Sequence, residues 1–250
     1  MLEHVQKPFV IAGLLLASGP AYLPSYEADG VKVDSYLIEA EFHPADKSIH
    51  AKVDISFAPS SVTGDTLVFY LHGELDVDHV EVQGQRIEIL QDRVHHENDY
   101  SHIANRVSVV TEDIDRVEGM RVMYSGYFNP SVVGAISNYM RIDSGGVFLR
   151  SLGYSLWFPV FVENWTDSYD VSFPSVTIRT PPEFRAVFAG QRLREYEEGE
   201  WRISEWSADR LSLFDAQCTA RQFDVMNEGG FYLYHMRDST ARTMARDILS

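Results

Sequence analysis

Cysteine is almost missing from this chain: Cys218 is the only one in 250 residues, so no disulfide can close within it. A fold of this size must rest on packing instead of cross-links. Free cysteines mostly behave as small buried apolar groups. No Cys-His-Asn grouping surrounds Cys218, which reads as an idle thiol and not a nucleophile. Positive charge is scarce too. The 21 Lys and Arg stand against 37 Asp and Glu, a formal net charge of −16. A surface so acidic repels phosphate backbones, which excludes nucleic acid as a partner. Long apolar runs are also wanting. The longest, Phe9–Ala17, falls well short of the roughly 20 residues a helix needs to cross a bilayer, so no membrane partner is expected.

What is present is alternation. Hydrophobic residues make up 45% of the chain, enough for a sizeable core. From Val31 to Val82 apolar and polar residues take turns: Ile49, Ala51, Val53, Ile55 and Phe57 fall on one face, and His50, Lys52, Asp54 and Ser56 on the other. That is the period of strands with one buried side. Pro44-Ala45-Asp46-Lys47 suits a hairpin turn. Further strands are expected at Arg86–Leu90, Arg106–Val110, Met120–Tyr124, Asn138–Ile142 and Val147–Leu149. After an aromatic stretch, Leu156–Val162, they resume at Tyr169–Phe173, Ser175–Arg179, Arg185–Ala189, Trp201–Trp206, Arg210–Phe214 and Gln222–Met226. Gly229-Gly230 marks a hairpin before Phe231–His235. Gln91–His102 reads as an exposed loop, and Glu195–Glu200 as a solvated acidic turn.

The two ends differ from this pattern. Residues 1–30 form a signal peptide or a leading strand: Phe9–Ala17 has signal-peptide length, but Glu3 and His4 beside Lys7 make a poor basic start. Export and a cytoplasmic location stay equally open. From Asp238 the period changes. Ala241, Met244, Ala245, Ile248 and Leu249 recur at three-to-four spacing, the mark of a short helix over 238–250.

Few residues group as chemistry requires. His95, His96, Glu97, Asp99 and His102 are metal-ligating types, yet adjacent histidines point to opposite faces of a strand and no helical i, i+4 pair forms. His43, His50, His72 and His79 sit near strand ends or on polar faces, where hairpin register could bring two together. Carboxylate pairs such as Glu39/Glu41 follow from period two alone. Tyr154, Trp157, Phe158, Phe161, Trp165 and Tyr169 form an aromatic cluster, read first as core and second as a domain interface or carbohydrate platform. Of these, Trp157, Phe158, Phe161 and Trp165 are the interface or core candidates.

The order of these pieces resembles the opening of the aminopeptidase N family of zinc peptidases. The resemblance rests on Tyr36–Pro44 followed by Ile49–Phe57, Thr66–His72, Val80–Gly84 and Val122–Gly126. It continues through Trp157-Phe158-Pro159, Val176–Pro181, Val187–Gly190 and Phe231–His235 with the helix after it. It implies an all-β fold of large twisted antiparallel sheets, a saddle or β-sandwich over 31–237, with a short C-terminal helix over 238–250 leading to a missing domain. In that family this region covers the active-site cleft, and a following domain binds zinc through H-E-x-x-H. Here the His96-Glu97 pair has Tyr100 where the second histidine belongs. Gly134-Ala-Ile-Ser-Asn138 matches the family's G-A-M-E-N at three positions but carries Ser137 in place of the Glu.

The resemblance therefore implies a noncatalytic β domain that docks on a catalytic metallopeptidase domain, in cis or trans, and walls its cleft. Peptide would be its substrate. Zinc would belong only to the following domain, with no cofactor, catalytic residue or metal ligand in this chain and no catalysis by it alone. The alternative is a free-standing β-sandwich module that binds peptide, carbohydrate or protein.

Overall fold

The computed structural model describes residues 31–59, 62, 65–95, 103–111, 117–128, 140–149, 156–161, 170–228 and 231–236. The segments expected to form the leader or first strand (1–30) and the terminal helix (238–250) lie outside the described residues, as does the Gly134–Asn138 motif.

The described residues are nearly all strand, with one 3-10 turn at Leu213–Asp215. The first half contributes β1 (Val33–His43), β2 (Ser48–Phe57), β3 (Thr66–His72), β4 (Leu75–Val82), β5 (Gln85–Ile87), β6 (Ile89–His95), β7 (Ile103–Val110) and β8 (Gly119–Tyr127). The second adds β9 (Met140–Asp143), β10 (Gly146–Leu149), β11 (Asp170–Thr180), β12 (Arg185–Phe188), β13 (Gln191–Glu198) and β14 (Trp201–Ser212). It closes with β15 (Cys218–Arg221), β16 (Phe223–Glu228) and β17 (Phe231–Met236). Two compact units contain them. One spans Glu27–Gln222; the other joins Met1–Tyr26 to Phe223–Ser250, and its described part is the antiparallel β16–β17 hairpin.

In the larger unit the strands form three sheets. The first has eight strands in the order β13-β14-β11-β1-β2-β8-β4-β5; the second runs β12-β15-β10-β9 and the third β3-β7-β6. The β1–β2 hairpin turns where the proline and aspartate suggested: the Asp46 amide donates to His43 O, 3.1 Å, and Lys47 takes a positive φ of 58°. β1 then pairs on its other side with β11, in parallel, Ser35 opposite Ser172 and Glu41 opposite Arg179. Every other strand pairing among the described residues is antiparallel.

One face of the eight-stranded sheet is apolar. Tyr36, Ile38, Ala40 and Phe42 of β1 lie buried beside Ile49, Ala51, Val53 and Ile55 of β2 and Val122 and Tyr124 of β8. The smaller sheets supply Leu67, Phe69, Leu71, Val107, Val109, Val147, Leu149, Ala186, Phe188, Cys218 and Ala220, all buried. Period-two burial makes each strand amphipathic, and stacking such faces is how sheets leave water.

Several expected elements change on folding. From Asp170 on, the strands expected at Tyr169–Phe173 and Ser175–Arg179 are one strand, β11, whose register with its neighbours shifts around Pro174, a residue with no amide proton to donate. Trp201–Trp206 and Arg210–Phe214 likewise merge into β14 and the 3-10 turn. The loop expected over Gln91–His102 is strand as far as His95, where β6 pairs with β7 at a sheet edge. The acidic turn expected at Glu195–Glu200 is mostly strand. β13 runs to Glu198, and the turn is Gly199-Glu200, with Gly199 at a φ of 61°.

Candidate functional site

Among the described residues, Leu156–Phe161 is an irregular segment that contacts all three sheets of the larger unit. Pro159 keeps it from extending as a strand, and only Val160 bridges to Tyr70, by hydrogen bonds of 2.9 and 3.0 Å. The Leu156 carbonyl accepts from the His72 amide at 2.9 Å, so the outer edge of β3 is closed. Phe158 meets Tyr36 at 5.2 Å and Phe173 at 5.8 Å, on the large sheet. Trp157 packs on Phe188 of the four-stranded sheet at 6.5 Å, and Phe161 on Phe57 and Phe69, at 5.2 and 5.7 Å. The Trp157 indole donates to Ala216 O at 3.0 Å, and the Tyr124 hydroxyl donates to Trp157 O at 2.6 Å. Trp157, Phe158 and Phe161 are 0%, 1% and 6% exposed, which places them in the core of this unit and off its surface. Trp165, the fourth candidate, lies outside the described residues.

The surface chemistry lies on the opposite, polar face of the eight-stranded sheet. Cross-strand register lines up Thr177, Glu39, Lys52 and Met123 in one row and Arg179, Glu41, His50 and Ser125 in the next. Opposite charges alternate along these rows. Lys52 pairs with Glu39, Arg179 reaches the same carboxylate at 3.7 Å, and Arg121 forks onto Asp54 at 2.6 and 3.1 Å and reaches Glu81 at 3.6 Å. The Asp54 carboxylate, first by hydrogen bond and then by charge, holds the Arg121 guanidinium above its ordinary range. At the sheet's far edge Arg194 forks onto Glu205 at 2.5 and 2.7 Å and lies over the Tyr196 ring. That hydrogen bond holds the Glu205 carboxyl below its usual range. The Arg121–Asp54 pair between neighbouring strands adds a fraction of a kcal/mol, about 0.2–1.

Hairpin register does bring two histidines together. The His43 and His50 rings meet edge-on at 5.5 Å, and His43 also meets Trp201 at 5.2 Å. Glu41 lies 2.8 Å from His43 Nε2. His79 sits 3.4 Å from Glu81, and His72 packs on Phe128. These positions do not fit zinc. Among the described residues no group of three or more His, Cys, Asp and Glu is placed to hold a metal ion. The polar loop containing His96, Glu97, Asp99 and His102 lies outside the described residues. Cys218 is fully buried in β15, and burial pushes its thiol well up, so it is no nucleophile in the fold. The alternation alone does not show the Arg121–Asp54 fork, which joins strands far apart in the chain, or the Arg194–Glu205 fork, which depends on a register shift inside the β13–β14 hairpin. The alternation placed each residue on its face but not beside its partner.

No protein-family model matches the sequence. No curated protein matches it. Solved structures do match the fold. An M1 zinc metallopeptidase from Deinococcus radiodurans aligns with a TM-score of 0.60 at 15% identity, over 82% of this chain and 46% of that one. A two-domain M1 zinc metallopeptidase mutant bound to L-arginine gives 0.61 at 15%, over 85% and 48%. Native yeast LTA4 hydrolase gives 0.60 at 14%, over 86% and 34%. The chain thus spans less than half the length of each of these three proteins. At such identities the likeness is one of fold, and its meaning is that this chain shares the architecture of a part of the M1 zinc metallopeptidases.

Proposed function

We propose that this chain is a noncatalytic β domain of an aminopeptidase-like zinc metallopeptidase, whose role is to dock on a catalytic domain and wall its substrate cleft. One observation carries the reading: the match covers most of this chain but a minority of each enzyme. The remainder of such an enzyme would hold the zinc and the reacting groups, in cis or in trans. Peptide is the substrate class, since one matching M1 structure is described as bound to a Tyr-Ser-Ala substrate. The described residues supply no set of zinc ligands to this chemistry. Their contribution is a rigid wall and a polar face whose charges are largely paired among themselves.

The test is assembly. The 250-residue chain is mixed with a separately produced domain that carries H-E-x-x-H, taken from the same genome. Sedimentation reads complex formation, and an aminoacyl amide assay reads turnover. The expected result is a one-to-one complex, with turnover in the mixture and none in the chain alone. Stoichiometric zinc with turnover in the chain alone would overturn the noncatalytic reading. Failure of every such domain to bind would favour the free-standing module for peptide, carbohydrate or protein.

A further inference from the structure

The two ends of the eight-stranded sheet are unlike each other. At one end β5 is three residues long; at the other β13 has eight, and among the described residues nothing pairs with its outer side. An unpaired edge is a template for another strand, and proteins guard it with brevity, proline or charge. Brevity guards β5. β13 has no proline, and its charges are of both signs: Arg192 and Arg194 in the first half, Glu195, Glu197 and Glu198 in the second. It also leaves two large side chains in solvent, Leu193 at 53% exposure and Tyr196 at 37%.

Pairing with β14 sets the faces of this strand. A register shift between Arg192 and Arg194 makes Leu193 the extra residue, so the regular stretch is 194–198. Within it Glu195 and Glu197 lie opposite Ser204 and Arg202 on the inner side, where Glu195 pairs with Arg185 and Glu197 with Arg202. Arg194 and Tyr196 lie on the outer side, where both reach Glu205, at 2.5 and 3.3 Å. Period two puts Glu198 on that side as well. The outer row is thus a cation, an aromatic ring and an anion in order, and turned end for end it complements itself. We propose that β13 is a dimer interface: two copies of this chain pair their β13 strands antiparallel about a twofold axis beside Tyr196. Arg194 of each copy then faces Glu198 of the other, with the two Tyr196 rings meeting between these pairs. The fork onto Glu205 uses Arg194 Nε and Nη2, so Nη1 serves the new pair. On the inner side Glu195 faces Glu197 of the other copy, and each already has an arginine of its own chain. The net charge of −16 opposes self-association at long range, but physiological salt screens it beyond about 8 Å, and the facing pairs act within that distance. One such pairing uses up the edge, so the assembly closes at two copies. A contact this short lies at the small end of interfaces, and dimers are expected on the order of 100 µM chain.

Sedimentation equilibrium of the full chain, alone and at physiological ionic strength, reads the assembly over rising concentration. A monomer–dimer equilibrium is expected. Glu198→Arg sets like charges opposite each other at both ends of the interface and is expected to weaken dimers about tenfold. Arg194→Glu does the same with the opposite sign. Mixed one to one, the two variants regain both opposite-charge pairs, so heterodimers are expected to form more tightly than either homodimer. Arg194→Glu also loses the fork onto Glu205. If it fails to fold, amide exchange of the parent decides instead: protection within 194–198 should rise with chain concentration while β5 stays unchanged. A chain that remains monomeric, species larger than dimers, or a folded Glu198→Arg variant that dimerises like the parent would overturn the interface. So would heterodimers no tighter than the homodimers, or protection in β13 that ignores concentration.

Discussion

Cys218 and Tyr124 resist ionisation for the same reason: both are fully buried, and burial penalises thiolate and phenolate alike. In the unfolded chain each loses its proton near its ordinary value, 9.0 for the thiol and 10.0 for the phenol. Above those values the unfolded state holds fewer protons than the folded one, so stability falls as pH rises. Urea midpoints followed from pH 8 to 11 should be level at first and then drop. The expected slope is about 1.4 kcal/mol per pH unit for each group in play. Trp157 offers a second check. Trp157→Phe keeps an aromatic ring against Phe158 and Phe188 but removes the donor to Ala216 O, whose residue is fully buried. An unmet buried acceptor costs about 1–3 kcal/mol, read as a lower urea midpoint at unchanged m-value. At this scale the sequence singled out Trp157, Phe158 and Phe161, which the fold buries. It could not tell core from interface, since a ring that fills a core and a ring that meets a partner look alike in one dimension.

Among the elements, hairpins were the most legible and long strands the least. Pro44–Lys47 announced its turn because the residues that bend the chain are adjacent in it. β11 and β14 each look like two strands in the sequence, because a register shift interrupts the alternation while the hydrogen-bonded ladder carries on. The acidic neighbours of Glu195 suggest a solvated turn, whereas a bulge two residues earlier turns it inward. One glycine marks a close approach of two neighbouring strands within the four-stranded sheet. Gly146 has a φ of +126°, and a Cβ there would lie 2.1 Å from Ala220 O on β15. Gly146→Ala should therefore weaken the β10–β15 ladder by about 2 kcal/mol or more. Faster amide exchange at Val147 and Leu149, with other strands unchanged, would show the damage to be local.

For the molecule as a whole, the decisive pairing is β1 with β11. The all-β class was legible from period two, but the strand order was not, because nothing in either strand names its neighbour. Without β11 and the Leu156–Phe161 segment, β1 has one bare edge, and Tyr36, Phe57 and Phe69 lose their aromatic partners. A chain ended after Phe128 retains β1 to β8 and should still fail to fold cooperatively. Circular dichroism would then report a shallow, non-sigmoidal melt where the full chain gives a single transition. A sharp transition in the shortened chain would mean that the first half holds a core of its own.

That same pairing sets a timetable for synthesis. Ser35 must wait for Ser172, and at ribosomal speeds of about 5–20 residues per second the delay is on the order of ten seconds. During it, the edge that will receive β11 stands open on the nascent chain, with Leu37 beside it. A newly made copy is most vulnerable to its neighbours on the same messenger before its second half emerges, and slower translation of the middle of the gene would lengthen that exposure.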